Sequence, residues 1–540
     1  MKKKSTLDKI IYYHLTTYLI LAITILLTHI WISNSICLIL NITTKKSLQN
    51  LIHLAVPLGS YGTLIYIFYN TARSRKYHLL TGRSYGYDHS HYDRSYASLV
   101  RYFSEAEPHK MDTSVFPSGN WRDVHGLIFG KAINHIISIP SSSECNIAIF
   151  GPPGSGKTSG IAIPSAMQFA GSVLAIDIKG DIYHFVHKNS NRKIIRFCPD
   201  HPDALKISAH FDPIAGFNTM SVTDQKLYLE NMALVLIPDE GGNEGNFFST
   251  RARKIFQGIA HLMLHKNPDT SFPDIVHAIL TGNIFDWVRE AIAGDCETAK
   301  ELLASFYGSN EKNVSGAYDA LTTALVHFSS PILDVLLSKG PDCISICDLD
   351  AGYDIYLQIS QDHLDTYAPL FTLIIQNFST AFSRRPDSST GVKNRSILML
   401  LDEFPQMTYA YKQINSNLST LRSKSIILML IQQNLSQLEY RYGPAGTRSI
   451  VGNCNYQVIL GSNDIQSSES FSKLFGTKKI LKISNSITKS TQDTSGKSVQ
   501  ETEIRVYPPE YFGDLSANDS MILYAKGKYA EVKKINCYRD

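Results

Sequence analysis

The segment Gly151-Pro-Pro-Gly-Ser-Gly-Lys-Thr-Ser-Gly160 follows the apolar run Asn146–Phe150 and precedes the apolar-periodic stretch Ile161–Phe169. This order predicts a strand, a glycine-rich turn and a helix, the context in which a G-x-x-x-x-G-K-[ST] sequence binds phosphate. Glycines let backbone N–H groups converge on phosphate oxygens without a Cβ in the way, and the helix N-terminus adds partial positive charge. The segment therefore predicts a nucleoside triphosphate site, with a chance glycine-rich turn as the alternative.

Two side chains of this loop carry specific chemistry. Lys157 is expected to reach the β- and γ-phosphates of ATP, and the Thr158 hydroxyl is expected to bind Mg²⁺. The predicted nucleotide-contacting set comprises the whole loop and the first helical residues: Gly151, Pro152, Pro153, Gly154, Ser155, Gly156, Lys157, Thr158 and Ser159.

The run Ser396–Leu401 is continuously apolar and ends in the acids Asp402 and Glu403. Such a run is typical of a buried strand, and an NTPase needs acids at the carboxyl end of a strand beside its phosphate loop. Asp402 is expected to hold the Mg²⁺ shell, and Glu403 to orient and polarise the attacking water. A buried strand that merely precedes acidic helix-start residues is the alternative.

Arg422 comes shortly before the predicted strand Ile426–Ile431, which ends at Gln432 and Gln433. An arginine beside developing γ-phosphate charge can act as an arginine finger. Gln433 could sense the γ-phosphate through its amide. A solvated helix-end charge and a strand-end polar cap are the respective alternatives, and both stay open on the residues alone.

Two amino-terminal runs, residues 10–32 and 51–69, each approach the 20 residues needed to cross a bilayer. Basic residues flank their outer ends: Lys2, Lys3, Lys4 and Lys9 before the first, and Arg73, Arg75 and Lys76 after the second. The positive-inside rule then places both termini, and the body after residue 76, in the cytoplasm. A cleaved signal peptide and buried soluble helices are the alternatives, the latter because each run contains polar residues.

Composition limits the remaining possibilities. With 540 residues and a net charge of +4, the chain can form two or three domains but has no global basic character, so any DNA-binding surface must be local. Cys343 and Cys347 are the only close cysteine pair, and reduced thiols are the preferred interpretation. His89 and His91 are more simply part of a polar loop than a metal site.

Along the body, short apolar strands alternate with helical stretches, which predicts an α/β fold. Residues 220–345 contain many helical patterns, including one over Ser315–Leu337, and almost no strand-like runs, and predict an inserted all-α domain. The nucleotide-binding domain then comprises residues 77–219 and 346–540, after an anchor at 1–76. Residues 485–500 are rich in Ser, Thr, Lys and Gln and predict a mobile loop.

Together these segments resemble the coupling proteins of type IV secretion and conjugation systems, over nearly the whole chain. The resemblance rests on the two amino-terminal runs, on GLIFG at 126–130, and on six further segments: GPPGSGKTSG at 151–160, AIDIKGDIY at 175–183, FDPIAGF at 211–217, LLDEFPQM at 400–407, QQNLSQLEYRYG at 432–443 and NCNYQVILGSND at 453–464. In the second of the six, Ile178 and Asp181 stand where the family usually has proline and glutamate, while Asp177 and Lys179 match the family pattern.

The resemblance implies a RecA-like P-loop domain that carries an all-α domain and follows a two-helix transmembrane hairpin. It implies a homo-hexameric ring in the bacterial inner membrane, in which ATP and Mg²⁺ bind between subunits. Hydrolysis would deliver single-stranded DNA and its bound relaxase to the type IV secretion channel. By position, Arg422 matches the family's arginine finger and Gln433 its glutamine. The acidic carboxyl-terminal tail of some members has no counterpart here, so no partner-docking surface is assigned.

Two other functions remain possible from the sequence. The same motor could serve protein effectors instead of DNA. Alternatively, the chain could be a membrane receptor that binds nucleotide as a switch and only docks cargo. Glu403 disfavours the switch, because a switch needs no carboxylate to activate water.

Overall fold

The computed structural model describes residues 110–238, 242–340, 342–488 and 494–539. Residues 113–540 form one compact unit. The predicted transmembrane runs at 10–32 and 51–69 lie outside the described residues. Within the described part, no helix combines the length and the apolar character needed to span a bilayer.

The described residues contain thirteen strands. Their bounds are β1 Leu127–Ala132, β2 His135–Ile139, β3 Ile147–Phe150, β4 Ser172–Ile178, β5 Lys193–Phe197, β6 Tyr353–Ile359, β7 Ile397–Leu401, β8 Ile426–Gln432, β9 Tyr456–Ile459, β10 Thr477–Thr488, β11 Thr494–Arg505, β12 Ser520–Ala525 and β13 Lys528–Lys533.

Eleven of these strands form one mixed sheet in the order β2-β1-β13-β12-β9-β3-β8-β7-β4-β6-β5. The seven strands from β9 to β5 are parallel. The central strands β3, β7 and β8 are fully buried and rich in Ile, Leu and Met, as expected for a parallel sheet covered on both faces. The other four strands extend the sheet antiparallel beyond β9. The α/β prediction is therefore confirmed.

The α-helices in the described part fall into three groups. Those that precede the long helical segment between residues 220 and 350 are α1 Ile163–Gln168, α2 Asp181–Asn189 and α3 Ala204–Ile207. Those within it are α4 Val222–Leu236, α5 Gly242–Lys266, α6 Phe272–Thr281, α7 Ile284–Ala293, α8 Glu297–Leu303, α9 Glu311–Leu325, α10 Pro331–Leu336 and α11 Ile346–Asp350. Those that follow are α12 Leu364–Ser383, α13 Tyr411–Thr420, α14 Leu435–Gly452, α15 Ile465–Phe475 and α16 Glu510–Ala517.

Between β5 and β6 the described residues contain helices, turns and the isolated bridge His210↔Cys343, but no strand. Local signals set several helix starts: Ser221 caps α4, and Ser271 forms a capping box with Asp274 at the start of α6. Buried side chains of α5, such as Ile255, Phe256 and Ile259, belong to the same hydrophobic core as those of the sheet. The predicted domain boundaries at residues 220 and 345 stay a prediction.

Two expectations were wrong. The helical run Ser315–Leu337 is interrupted, because Ser330 caps a new helix and Pro331 occupies its first position, where a missing N–H costs nothing. Residues 485–488 and 494–500 are not a loop: β10 and β11 pair antiparallel from Thr477↔Arg505 to Thr488↔Thr494. The residues between them, 489–493, lie outside the described part. The polar composition concealed the strands, since backbone pairing does not require apolar side chains.

Candidate nucleotide site at the carboxyl edge of the sheet

Four neighbouring parallel strands deliver the predicted site residues to one edge of the sheet. Strand β3 leads into the phosphate loop, β7 ends before Asp402, and β4 ends around Asp177. Strand β8 lies between β3 and β7 and ends before Gln433. The register pairs Phe150 with Gln432 and Leu401 with Leu430, so these strand ends lie level. This alignment defines the carboxyl edge of the sheet.

The phosphate loop has the backbone that its glycines predict. Gly154 and Gly156 have φ values of 77° and 93°, in the left-handed region that favours glycine. A Cβ placed on Gly154 would have no neighbour within 4 Å, so the loop is open at this point. A π-helical turn, Thr158–Ala162, then leads directly into α1.

Lys157 lies inside this loop and is only 8% exposed. Its ammonium donates hydrogen bonds to the Gly151 carbonyl at 2.6 Å and to the Pro152 carbonyl at 3.4 Å. Burial lowers the pKa of Lys157, while the nearby Glu403 and Asp402 carboxylates act in the opposite direction. The lysine and the acidic pair, predicted from distant parts of the sequence, are therefore within electrostatic range of each other.

Asp402 is buried, with 8% of its surface exposed. Burial raises the pKa of Asp402 to about 7, and the Glu403 carboxylate adds to the rise while Lys157 opposes it. One carboxylate oxygen, Oδ1, accepts a hydrogen bond from the Glu403 backbone N–H at 3.1 Å. A buried carboxyl group with this pKa changes charge near neutral pH unless a cation binds beside it.

Glu403 has an unusual backbone conformation for a residue with a side chain. Its φ and ψ of 47° and 43° are left-handed, and such strain is found most often at functional sites. The Gln433 amide nitrogen lies 3.3 and 3.4 Å from the two Glu403 carboxylate oxygens and donates to them. Gln433, predicted to sense a γ-phosphate, therefore contacts the predicted water-activating acid.

These residues fit a triphosphate with Mg²⁺. The lysine donates to carbonyls of its own loop, bonds that phosphate oxygens can replace. The Ser155 hydroxyl is buried without a hydrogen-bond partner among the described residues, which a phosphate oxygen would supply. Thr158 is half-buried at the first turn after the loop, and Asp402 offers a carboxylate that has no ion-pair partner among the described residues. Hydroxyl and carboxylate oxygens are suitable Mg²⁺ ligands.

The segment 175–183, which departs from the family pattern at Ile178 and Asp181, has a local structural role around Asp177. Asp177 is fully buried and accepts hydrogen bonds from the backbone N–H groups of Ile182 at 3.1 Å and Tyr183 at 2.8 Å. It therefore caps the start of α2, after a turn in which Lys179 and Gly180 have left-handed φ values. Burial raises the pKa of Asp177 to about 6. Its charge also contributes to the raised pKa of Asp402.

Arg422 lies at the opposite edge, in the short turn Leu421–Lys424 before β8. The seven residues of β8 separate it from Gln433, a distance of about 20 Å at 3.3 Å per residue. Its Nη1 lies 3.5 Å from the Asn455 side-chain oxygen. The structure thus brings Lys157, Asp402, Glu403 and Gln433 together and excludes Arg422 from the site of the same subunit.

The edge that contains Arg422 is formed by the amino-terminal ends of the parallel strands and is called the amino edge. Two asparagines at this edge were not identified from the sequence. Asn146, fully buried, precedes β3, and Asn455 precedes β9. The Asn146 N–H donates to the Asn455 side-chain oxygen at 3.1 Å. A polar residue directly before a buried apolar strand is a signal that could have drawn attention to Asn146, because its side chain must find partners in the core.

Comparison with known proteins gives consistent matches. The sequence model of the family described as Type IV secretory system Conjugative DNA transfer matches residues 119–540. Protein VirD4 of Rhizobium radiobacter is 22% identical over 429 residues, which cover 77% of this chain and 61% of VirD4. Conjugal transfer protein TraG of Escherichia coli is 23% identical over 403 residues, which cover 70% of this chain and 60% of TraG. The chain thus spans about three fifths of the length of these relatives.

Solved structures match over a similar range. The bacterial conjugative coupling protein TrwBdeltaN70 in an unbound form has a TM-score of 0.58 at 15% identity, covering 77% of this chain and 90% of that one. The plasmid coupling protein TrwB in complex with ADP and Mg²⁺ has a TM-score of 0.56 at 16% identity, covering 74% and 87%. At this identity the likeness establishes the fold.

Proposed function

This chain belongs to the type IV secretory system conjugative DNA transfer family, and we propose that it is a coupling ATPase. In this proposal it recruits relaxase-bound single-stranded DNA and delivers it to a type IV secretion channel by hydrolysing ATP. The relatives VirD4 and TraG and the conjugative coupling protein TrwB support this function.

One observation carries the proposal: a buried lysine in a phosphate loop shares one edge of the sheet with a buried acidic pair. Lys157 and Asp402 are each 8% exposed, and each alters the proton affinity of the other. Burying opposite charges without a structural ion pair is unfavourable for folding, so a ligand is the simplest reason to keep them there. The TrwB complex with ADP and Mg²⁺ supports a nucleotide as that ligand.

Each side chain has a defined part in hydrolysis. Lys157 exchanges the Gly151 carbonyl for phosphate oxygens and stabilises the negative charge that develops on them. Glu403 accepts a hydrogen bond from the attacking water and takes its proton. Gln433, which donates to Glu403, fixes the orientation of that carboxylate. A base held in this way needs little reorganisation when the reaction starts.

Thr158 and Asp402 are the residues that would hold Mg²⁺. When bound, the ion neutralises phosphate charge. A bound cation would favour the charged form of Asp402 and would lower the pKa that burial raises.

The position of Arg422 supports a ring. In a closed head-to-tail assembly, the amino edge of one subunit can face the carboxyl edge of the next. Arg422 then completes the neighbour's site in trans, and a lone subunit hydrolyses ATP poorly. We propose a homo-hexamer that is held in the bacterial inner membrane by residues 10–32 and 51–69, with the body in the cytoplasm.

The test is ATP hydrolysis by the full chain, purified in detergent or nanodiscs, with and without single-stranded DNA. We expect Mg²⁺-dependent hydrolysis that DNA stimulates, and its loss together with nucleotide affinity in Lys157→Ala. Lys188→Ala, an exposed lysine on α2, is the matched control and should keep full activity. Wild-type hydrolysis by Lys157→Ala would refute the site.

The same experiment separates the proposal from the two alternatives. A chain that hydrolyses ATP without a response to DNA, but with a response to a secreted protein, would be a motor for protein effectors. A chain that binds nucleotide without hydrolysis would be a receptor switch, and transport would then continue in Glu403→Gln. The contact between Gln433 and Glu403 favours hydrolysis, because a switch gains nothing from an oriented base.

A further inference from the structure

Among the described residues, one side-chain acceptor contacts the Arg422 guanidinium at the amino edge of the sheet. The Asn455 Oδ1 accepts from Arg422 Nη1 at 3.5 Å and from the Asn146 backbone N–H at 3.1 Å. The Arg422 Nε is buried and has no hydrogen-bond partner among the described residues. A buried donor in this state is unfavourable, so the bond from Nη1 to the Asn455 oxygen is the contact that orients this guanidinium among the described residues.

Asn146 fixes the other side of this contact. Its side-chain amide donates to the Leu418 carbonyl of α13 at 2.7 Å and to the Asn453 carbonyl at 3.3 Å. Its side-chain oxygen accepts from the Leu428 N–H of β8 at 3.4 Å. Fully buried and bonded to three elements, Asn146 is a rigid point to which Asn455 is attached.

Asn146 also lies one short strand away from the phosphate loop. The four residues of β3 connect it to Gly151, a span of about 15 Å at 3.3 Å per residue. Strand β3 pairs on both sides, with β8 and β9, and the Gly151 N–H donates to the Gln432 carbonyl at 3.3 Å. A strand bonded on both sides moves as a unit with its neighbours.

We propose that Asn455 is a positioning residue for Arg422, and that Asn146 and β3 join this residue to the phosphate loop of the same subunit. Asn455 holds the guanidinium in the orientation in which it meets the nucleotide of the neighbouring subunit. The proposal rests on the proposed function, because it requires that Arg422 acts in trans. Beyond that function, the proposal identifies Asn455 as the residue that positions Arg422. It also identifies Asn146 and β3 as the structural connection between Asn455 and the phosphate loop of the same subunit.

The test is the turnover of Asn455→Ala in the full-length chain. We expect kcat for ATP to fall roughly tenfold to a hundredfold with KM within about twofold of the wild type, because the nucleotide site of each subunit is unchanged. Asn455→Asp keeps an acceptor at the same place and should keep most of the activity. Asn455→Ser retains a hydroxyl that is too short to reach Arg422, and should lose turnover like the alanine variant.

Mixed rings separate positioning from a general structural effect. Asn455→Ala subunits have an intact acidic pair, and Glu403→Gln subunits have an intact Arg422, so mixing the two should recover hydrolysis. Mixing Asn455→Ala with Arg422→Ala subunits should recover nothing, since neither supplies a positioned arginine. Recovery with both partners, or with neither, would overturn the proposal.

Asn453→Ala is the matched control. It lies in the same turn, but its side chain donates to Ser449 and Asn415 rather than contacting Arg422. It should keep wild-type turnover, and equal losses in Asn453→Ala and Asn455→Ala would overturn the proposal. Wild-type hydrolysis is measured first in the same preparation. If the wild type hydrolyses ATP and Asn455→Ala is fully active, this inference fails while the proposed function stands.

Discussion

The two edges of the central sheet are built from different chemistry. The carboxyl edge concentrates three buried ionisable groups, Lys157, Asp177 and Asp402. Burial lowers the pKa of the lysine and raises the pKa of both aspartates, so it favours the neutral form of each group. Beside β3, β8 and β9, the amino edge instead places neutral amides, chiefly Asn146 and Asn455, around the half-buried Arg422, and farther along this edge Arg192 pairs with the buried Asp354. In the proposed function, the carboxyl edge binds and hydrolyses the nucleotide, and the amino edge holds the Arg422 guanidinium in position. Neither edge alone contains both the acidic pair and Arg422.

Arg422→Ala gives the largest expected effect, because in the proposed mechanism it removes the group that the amino edge supplies to the site of the neighbouring subunit. We expect turnover to fall on the order of 10³-fold or more, with nucleotide affinity retained. The measurement is steady-state hydrolysis together with equilibrium binding of a fluorescent ATP analogue. Mixing with Glu403→Gln subunits should partly restore hydrolysis. No recovery at any mixing ratio would mean that the two edges do not combine across subunits.

Glu403→Gln tests the carboxyl edge alone. We expect ATP to bind with wild-type affinity and turnover to fall by about 10² to 10⁴-fold, because the base is lost while the phosphate loop is intact. Binding and single-turnover hydrolysis measure the two quantities separately. Gln433→Ala should give a smaller loss of the same kind, since it only frees the carboxylate. Normal turnover in Glu403→Gln would remove the acid from the mechanism.

The raised pKa of Asp402 makes two pH effects testable. Below pH 7 the carboxyl group is protonated, so the apparent Mg²⁺ affinity should fall by up to about tenfold per pH unit. Because the folded-state pKa exceeds the unfolded value, this group destabilises the ligand-free protein as pH rises. The free energy of unfolding should be about 1 kcal/mol higher at pH 6 than at pH 8 on this account.

Asp402→Asn is the control for both pH effects. Thermal unfolding of the ligand-free variant should lose the Asp402 contribution to the difference between pH 6 and pH 8, and its Tm at pH 8 should exceed that of the wild type. The variant should also lose Mg²⁺-dependent nucleotide binding. An identical pH response in the two proteins would show that Asp402 is not the titrating group.

The smallest effect concerns the thiols of the amino edge. Burial raises the pKa of Cys145 and of Cys454 to about 12, so both should resist alkylation at pH 8, where about one thiol in 10⁴ is ionised. Cys347 is exposed and should be labelled by iodoacetamide in the same sample. Peptide mapping by mass spectrometry gives the labelled fractions of Cys145 and Cys454 relative to that of Cys347. Rapid labelling of Cys145 would mean that the amino edge opens in solution.

Sequence reasoning succeeded where the signal is local. The apolar runs before Gly151 and Asp402 predict strands, and their polar ends predict which side chains meet, because parallel strands end at a common edge. It failed where the partner is distant in the chain. Asn146 and Asn455 are 309 positions apart, and nothing near either residue indicates the other. The left-handed backbone of Glu403 is likewise set by its surroundings, since glutamate has no local preference for it.

The strand order has a consequence for how the protein is made. The hairpin β1–β2 joins the sheet through β13, which is synthesised roughly 400 residues later, or about 20 to 80 s at ordinary rates of translation. During that time its apolar residues, such as Phe129 and Ile137, lack the neighbouring strand that later pairs with β1. The Cys537 N–H also bonds the Ser159 carbonyl beside the phosphate loop. This bond, which fixes the backbone directly after the phosphate loop, therefore forms only after translation has passed residue 537.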